Sequence, residues 1–277
     1  FKSLWDQGLI YQDFRVMPFS WRLSTALSNF EANLDYRDTQ DPAVTITMPL
    51  IDEDASLLIW TTTPWTLPSN LAIAVGADIQ YVKARKSYED LDQHQYIVAE
   101  NLLHKTLGKD AVVVERLLGK ELVGRSYVPL FDDFANRAIL PKGEGRCFIV
   151  IAGDHVTTSS GTGLVHMAPD FGEDDFAACR THNIELVLSV DDEGRFKSNI
   201  HLFAGRNIKE ADPEIIKYIK KIGRLFKQST IQHSYPFCWR SGTPLIYRAV
   251  PAFFVKVESL RDRMSAHNDQ IHWVPEN

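Results

Sequence analysis

The sequence predicts a mainly β fold with helices packed on it, an α+β domain whose strands form a barrel-like core. Three observations carry this. Short β-rich runs recur through the middle of the chain, only three stretches have helical character, and no repeat or low-complexity linker interrupts them. Many short strands are best accommodated by a closed barrel or a sandwich, because closure removes exposed edges.

The elements follow in order. Val44, Ile46, Met48 and Leu50 alternate with Thr45, Thr47 and Pro49, the period of a half-buried strand. Further strands are expected at 57–62, 71–75, 81–84, 111–115, 147–152, 163–167, 184–190 and 245–257, the last interrupted by Pro251. Helices are expected at 100–107, at 172–183, where Glu173, Asp174 and Asp175 suit the positive end of a helix dipole, and at 212–227. For the last, Asp212 reads as N-cap and Pro213 as the first helical residue. The core is therefore placed at residues 43–231. Residues 1–42 and 232–277, rich in Trp, Pro and aromatics, read as two connecting arms that lead toward something absent from this chain.

Composition removes whole classes of function. With 277 residues, 44% hydrophobic and 24% charged, the chain is long enough for a sizeable core and unlike a disordered or collagenous one. No apolar run approaches the roughly 18 residues of a membrane span, and no signal-like segment opens the chain. Three cysteines, Cys147, Cys179 and Cys238, suit a reducing compartment better than a disulfide framework. A net charge of −6 argues against a surface that coats nucleic acid.

Two segments carry chemistry. In WTTTPWTLPSN, Trp60 to Asn70, three threonines end a strand and Pro64 turns it, so Thr61, Thr62, Thr63, Thr66 and Asn70 form a polar lip. In GTGLVHMAPDFGEDDF, Gly161 to Phe176, a glycine-bracketed strand presents His166, Pro169 turns the chain, and an acidic cluster opens a helix. Asp175 lies nine positions after His166, with a turn between, so both can face one pocket. Each segment alone also reads plainly: threonines are common in strands, and a histidine and an acidic cap are ordinary core and helix features.

Together the two segments closely resemble the paired signatures of the editing domain of isoleucyl-tRNA synthetase, a connective-peptide insertion in that class I enzyme. The leucyl and valyl enzymes carry an arginine and an acidic residue where this chain has Thr63 and Trp65. The arms, 13–36 and 233–257, are similar to the segments that join the insertion to the synthetic core, and the N-terminal arm is similar to the eukaryotic cytosolic branch. The resemblance covers essentially the whole chain.

It implies a post-transfer editing deacylase that hydrolyses mischarged Val-tRNA(Ile). Isoleucine against valine is the standard example of a one-methylene difference, for which a hydrophobic pocket supplies only about 1–3 kcal/mol of discrimination. On the resemblance, Asp175 binds the α-ammonium of the valyl group, and His166 lines the pocket that excludes isoleucine. Thr61, Thr62, Thr63 and Thr66 hold the terminal adenosine, the ester carbonyl or the hydrolytic water, and Asn70 supports that geometry. Trp60 and Trp65 read as packing residues. No strong general base is evident, so orientation of a water and the substrate's own ribose hydroxyl are expected to carry the catalysis.

The expected partners are the acceptor end of tRNA(Ile) carrying valine and the remainder of the synthetase chain. The protein is expected to be monomeric, cytoplasmic and free of membranes. Editing is expected to need no cofactor, ATP and magnesium belonging to the synthetic core. Neither HxGH nor KMSKS, the marks of that core, occurs: Arg263–His267 lacks both lysines of the second. No GxSxG, Walker A, HExxH or GxGxxG is present either. Ser241 stands where some relatives have a second cysteine after Cys238, so no metal is expected. Lys217, Lys220, Lys221, Arg224 and Lys227 share helical spacing, which reads first as a solvated basic face and second as a contact for tRNA phosphates. A non-catalytic tRNA-binding module and a free-standing deacylase are the competing classes. The intact threonine, histidine and aspartate set argues against the first and the unfinished arms against the second.

Overall fold

A computed structural model describes residues 1–87, 89, 93–134 and 147–274. The end of the C-terminal arm, 275–277, lies outside the described residues. The strands are β1 (Ile10–Ser20), β2 (Thr25–Ala26), β3 (Tyr36–Pro49), β4 (Ala55–Thr61), β5 (Ala72–Val75), β6 (Gln80–Arg85), β7 (Gln95–Ala99), β8 (Val112–Leu118), β9 (Ile149–Ala152), β10 (Leu164–Met167), β11 (Leu225–Pro236) and β12 (Ile246–Val255). The helices are α1 (Lys2–Asp6), α2 (Asn29–Ala32), α3 (Leu103–Leu107), α4 (Gly119–Leu122), α5 (Glu173–Thr181), α6 (Ile208–Lys221) and α7 (Arg261–Asn268). The mixture is the α+β class that the sequence predicts.

Closure is not observed. The described strands form three open sheets, ordered β11-β3-β4-β7-β6-β8, β10-β5-β9 and β12-β1-β2. The six-stranded sheet is antiparallel except where β4 meets β7 in parallel register, Ser56 opposite Tyr96. In its interior β4 is buried on both faces: Leu57, Leu58 and Ile59 are all inaccessible, so strict alternation gives way to a continuous apolar run. Thr45 of β3 is buried for the same reason, although alternation placed it outside. The expected strand at 184–190 is instead irregular apart from an isolated bridge, Val190 to Phe196. Its apolar residues are not in a ladder; Ile184 simply packs inward.

Helix α6 starts earlier than the Asp212–Pro213 signal suggests. Its N-cap is Asn207, whose side chain accepts from the Lys209 N–H at 3.0 Å. Ile208, Ala211, Ile215, Ile216 and Ile219 form its buried stripe, and burying Ile208 and Ala211 requires the extra turn. Pro213 therefore sits inside the helix, where the Lys209 carbonyl forgoes its usual partner. The helix ends at Lys221, so only Lys217, Lys220 and Lys221 share its exposed face. Arg224 lies beyond it and donates to the Thr47 carbonyl at 3.1 Å, while Lys227 belongs to β11.

The chain divides into two compact units, one of residues 1–15 and 249–277 and one of residues 16–248. In the larger unit β3 and β11 run through residues 42–43 and 231–232, pairing from Tyr36 opposite Pro236 to Ile46 opposite Leu225. Among the described residues no helix is long and apolar enough to cross a membrane.

Candidate functional site

Strand pairing is what brings the two motifs together. The threonine segment leaves β4 at Thr61, makes the buried 3-10 turn Pro64–Ser69, and enters β5. β5 pairs antiparallel with β10, placing Ile73 opposite His166, and the Leu71 N–H donates to the Met167 carbonyl at 3.0 Å. The second contact is a glycine: Gly161, at φ +71°, has the Trp60 ring where a Cβ would stand, 3.2 Å away.

The side chains then form one directed network. Thr63 N–H donates to Thr61 Oγ1 at 3.1 Å, and the Thr61 and Thr63 hydroxyls lie 3.2 Å apart. Thr66 Oγ1 donates to the Thr63 carbonyl at 2.8 Å. His166 Nε2 lies 2.8 Å from the same Thr66 oxygen, and His166 Nδ1 lies 3.2 Å from Asn70 Nδ2. Asn70 Nδ2 also donates to the Ala72 carbonyl at 2.8 Å, and the Tyr127 hydroxyl donates to Asn70 Oδ1 at 2.7 Å.

These contacts assign the histidine's proton. A carbonyl only accepts, so the nitrogen of the Asn70 amide faces Ala72, and its second hydrogen points at His166 Nδ1. Nδ1 then accepts, and the proton sits on Nε2, donated to Thr66. Burial pushes the imidazole down to about 4, so His166 is neutral near pH 7. Both ring nitrogens are committed to hydrogen bonds, so His166 has no nitrogen left to accept a further proton.

Asp175 reaches the same region through the backbone. Its Oδ2 accepts from the Ala168 N–H at 2.8 Å, two residues past His166. That fold-back depends on Gly172, where a Cβ would stand 2.6 Å from the Asp175 carboxyl carbon. Burial raises the carboxyl to about 6, opposed by the Ala168 N–H and reinforced by Asp174. Trp65 closes the back of the lip: it is buried and packs edge-to-face on Phe171 at 4.8 Å, just before α5.

Of the seven residues singled out from sequence, the structure joins Thr61, Thr63, Thr66, Asn70 and His166 in one network. Asp175 is tied to the His166 strand, and half-buried Thr62 makes no side-chain hydrogen bond among the described residues. Sequence reasoning missed Tyr127, 57 residues from Asn70 and carrying no local signal. It also missed Asp170, a buried carboxylate inside the second motif that accepts from the Ser189 N–H and hydroxyl at 2.8 and 2.9 Å. Ser69 donates to that Ser189 oxygen at 2.7 Å, stitching the lip to the same turn. A cavity of about 410 Å³ at Ile51, Asp52 and 123–126 includes none of these groups. Among the described residues no three His, Cys, Asp or Glu side chains converge as metal ligands would.

Comparison with known proteins adds the following. The pattern of the tRNA synthetases class I (I, L, M and V) matches residues 1–277. The isoleucine–tRNA ligase of Bdellovibrio bacteriovorus is 50% identical over 281 residues, 100% of this chain and 26% of that protein. The cytoplasmic isoleucine–tRNA ligase of Arabidopsis thaliana is 42% identical over 313 residues, 99% of this chain and 26% of that protein. The chain thus spans about a quarter of the length of these curated relatives. The bacterial protein is the more similar of the two, so the identities do not favour the expected eukaryotic branch. The crystal structure of the P. knowlesi cytosolic leucyl-tRNA synthetase editing domain is 12% identical, with a TM-score of 0.47 over 68% of this chain and 96% of that one.

Proposed function

The chain belongs to the class I tRNA synthetases (I, L, M and V), and from that premise we propose that it is the editing domain of an isoleucine–tRNA ligase, hydrolysing the ester of Val-tRNA(Ile). The observation that carries the reading is Asp175. A carboxyl held against its own ionisation by burial, with one oxygen committed to a backbone N–H, suits a cationic ligand. The α-ammonium of an aminoacyl ester supplies that cation.

In this reading the ammonium anchors on Asp175 and the valyl side chain faces His166. The threonine lip, with the free Thr62 hydroxyl, orients the ester and a water. The water adds to the carbonyl carbon, the bond to the ribose oxygen breaks, and valine leaves as the acid while the ribose oxygen takes a proton. Because both nitrogens of His166 are committed, proton movement falls to water and the neighbouring ribose hydroxyl, and orientation supplies the acceleration. The relatives named above are isoleucine–tRNA ligases, which supports this amino-acid pair. Acceptance of the acceptor end of tRNA(Ile), attachment to the rest of a synthetase, a monomeric cytoplasmic state and hydrolysis without a cofactor are parts of the same proposal.

The test is deacylation of Val-tRNA(Ile) and Ile-tRNA(Ile) by the chain and two variants. Asp175→Ala is expected to lose hydrolysis, and His166→Ala to admit the isoleucyl ester by enlarging the pocket. Equal hydrolysis of both esters by the unaltered protein, or an undiminished Asp175→Ala, refutes the proposal.

A further inference from the structure

Behind the threonine lip lies a cluster of charged groups that the hydrolytic reading leaves unused. Helix α6 packs against the Pro64–Ser69 turn and brings Lys209 and Asp212 up to Trp65. The Lys209 ammonium stands 5.4 Å from the Trp65 ring and 4.4 Å from the Tyr235 ring, and it donates to the Tyr235 hydroxyl at 3.0 Å. The Tyr235 hydroxyl in turn donates to the Leu245 carbonyl at 2.8 Å, so the lysine is held by a fixed acceptor. Asp212 Oδ1 is sealed from water without a hydrogen-bond partner among the described residues. Burial raises its carboxyl to about 7, opposed by Lys209 and the Trp65 backbone N–H and reinforced by Asp41 on β3. Asp41 is itself paired with His233 of β11 at 2.7 Å.

We infer that Asp212 and Lys209 are positioning residues for hydrolysis: from α6 they hold Trp65, and through it set the threonine lip against the loop that carries Asp175. This inference rests on the editing reading above. The mechanical route is short. Lys209 and Asp212 address the ring and the backbone of Trp65, Trp65 packs on Phe171, and Phe171 adjoins the Gly172–Asp175 turn. Thr63 and Thr66 flank Trp65 in sequence and join the His166 network, so a shift of the indole moves both halves of the site together. A carboxyl oxygen sealed from water without a partner is costly, and its place behind the lip gives it a task that packing alone does not require.

The test uses Asp212→Ala, Asp212→Asn and Lys209→Met, with two readouts. In deacylation of Val-tRNA(Ile), Asp212→Ala and Lys209→Met are expected to lower kcat about tenfold with KM changed less than about twofold, as expected for misplaced reacting groups. Asp212→Asn, which keeps an acceptor for the Trp65 backbone N–H, should restore most of kcat. Without substrate, Trp65 emission, isolated by subtracting the Trp65→Phe protein, should show a transition near pH 7 that Asp212→Asn abolishes. Wild-type kcat in Asp212→Ala, or an emission transition that persists in Asp212→Asn, overturns the inference. A wild-type protein inactive on the valyl ester would sink the editing reading instead, and the emission titration would still decide whether Asp212 governs Trp65.

Discussion

Asp175→Asn should make the protein more stable at neutral pH while abolishing hydrolysis. In the folded chain the carboxyl titrates at about 6 against an ordinary 3.8, chiefly because burial disfavours the charge. Between those values the folded state keeps a proton that the unfolded state has released, so stability falls as pH rises from about 4 to 6. A gap of that size corresponds to about 3 kcal/mol for a fully sealed group. The side chain is half-buried, and solvent screening reduces the effect to about 2 kcal/mol. Asparagine keeps an acceptor for the Ala168 N–H and has no charge to desolvate, so it recovers that amount. The assay is urea unfolding of both proteins at pH 3.5, 5 and 7.5. Their difference should be near zero at the lowest pH and reach its maximum above pH 6. An equal offset at every pH, or an asparagine variant no more stable at pH 7.5, would refute the argument that Asp175 is held ready for a cation.

His166 should show the opposite dependence. Its ring titrates at about 4 in the fold against 6.5, so stability is lost as pH falls through that interval, by up to about 3 kcal/mol. His166→Gln, followed by the same urea series, should remove this acid-side loss; an unchanged slope between pH 6.5 and 4 would contradict it. Tyr127→Phe leaves Asn70 Oδ1 buried without its donor and should cost about 1–3 kcal/mol in unfolding free energy. A loss within about 0.5 kcal/mol would show that the phenol does not hold Asn70.

Local signals in the chain located both motifs and most of their elements. Proline after three threonines ended β4 where expected, and the acidic run at 173–175 opened α5, because turn chemistry and dipole complementarity act over a few residues. Where long-range packing competed with a local cue, the cue lost. Asp212–Pro213 reads as a helix start, yet Ile208 and Ala211 needed burial and Asn207 took the cap. Val44–Leu50 reads as half-buried, yet β3 lies inside a six-stranded sheet and hides Thr45 as well.

The sequence by itself determined which two segments would supply the polar side chains that meet, Trp60–Asn70 and Gly161–Phe176. Each segment alone has an ordinary reading as strand, core or helix cap, and it is their pairing in one chain that singles them out. Only the tertiary structure decided the protonation of His166, the raised carboxyls of Asp175 and Asp212, and the contribution of Tyr127. Each depends on partners that chain order does not bring near: the pairing of β5 with β10, and the packing of α6 beneath Trp65. Desolvation and hydrogen-bond direction belong to the assembled environment, so they have no counterpart in the spacing of residues along the chain.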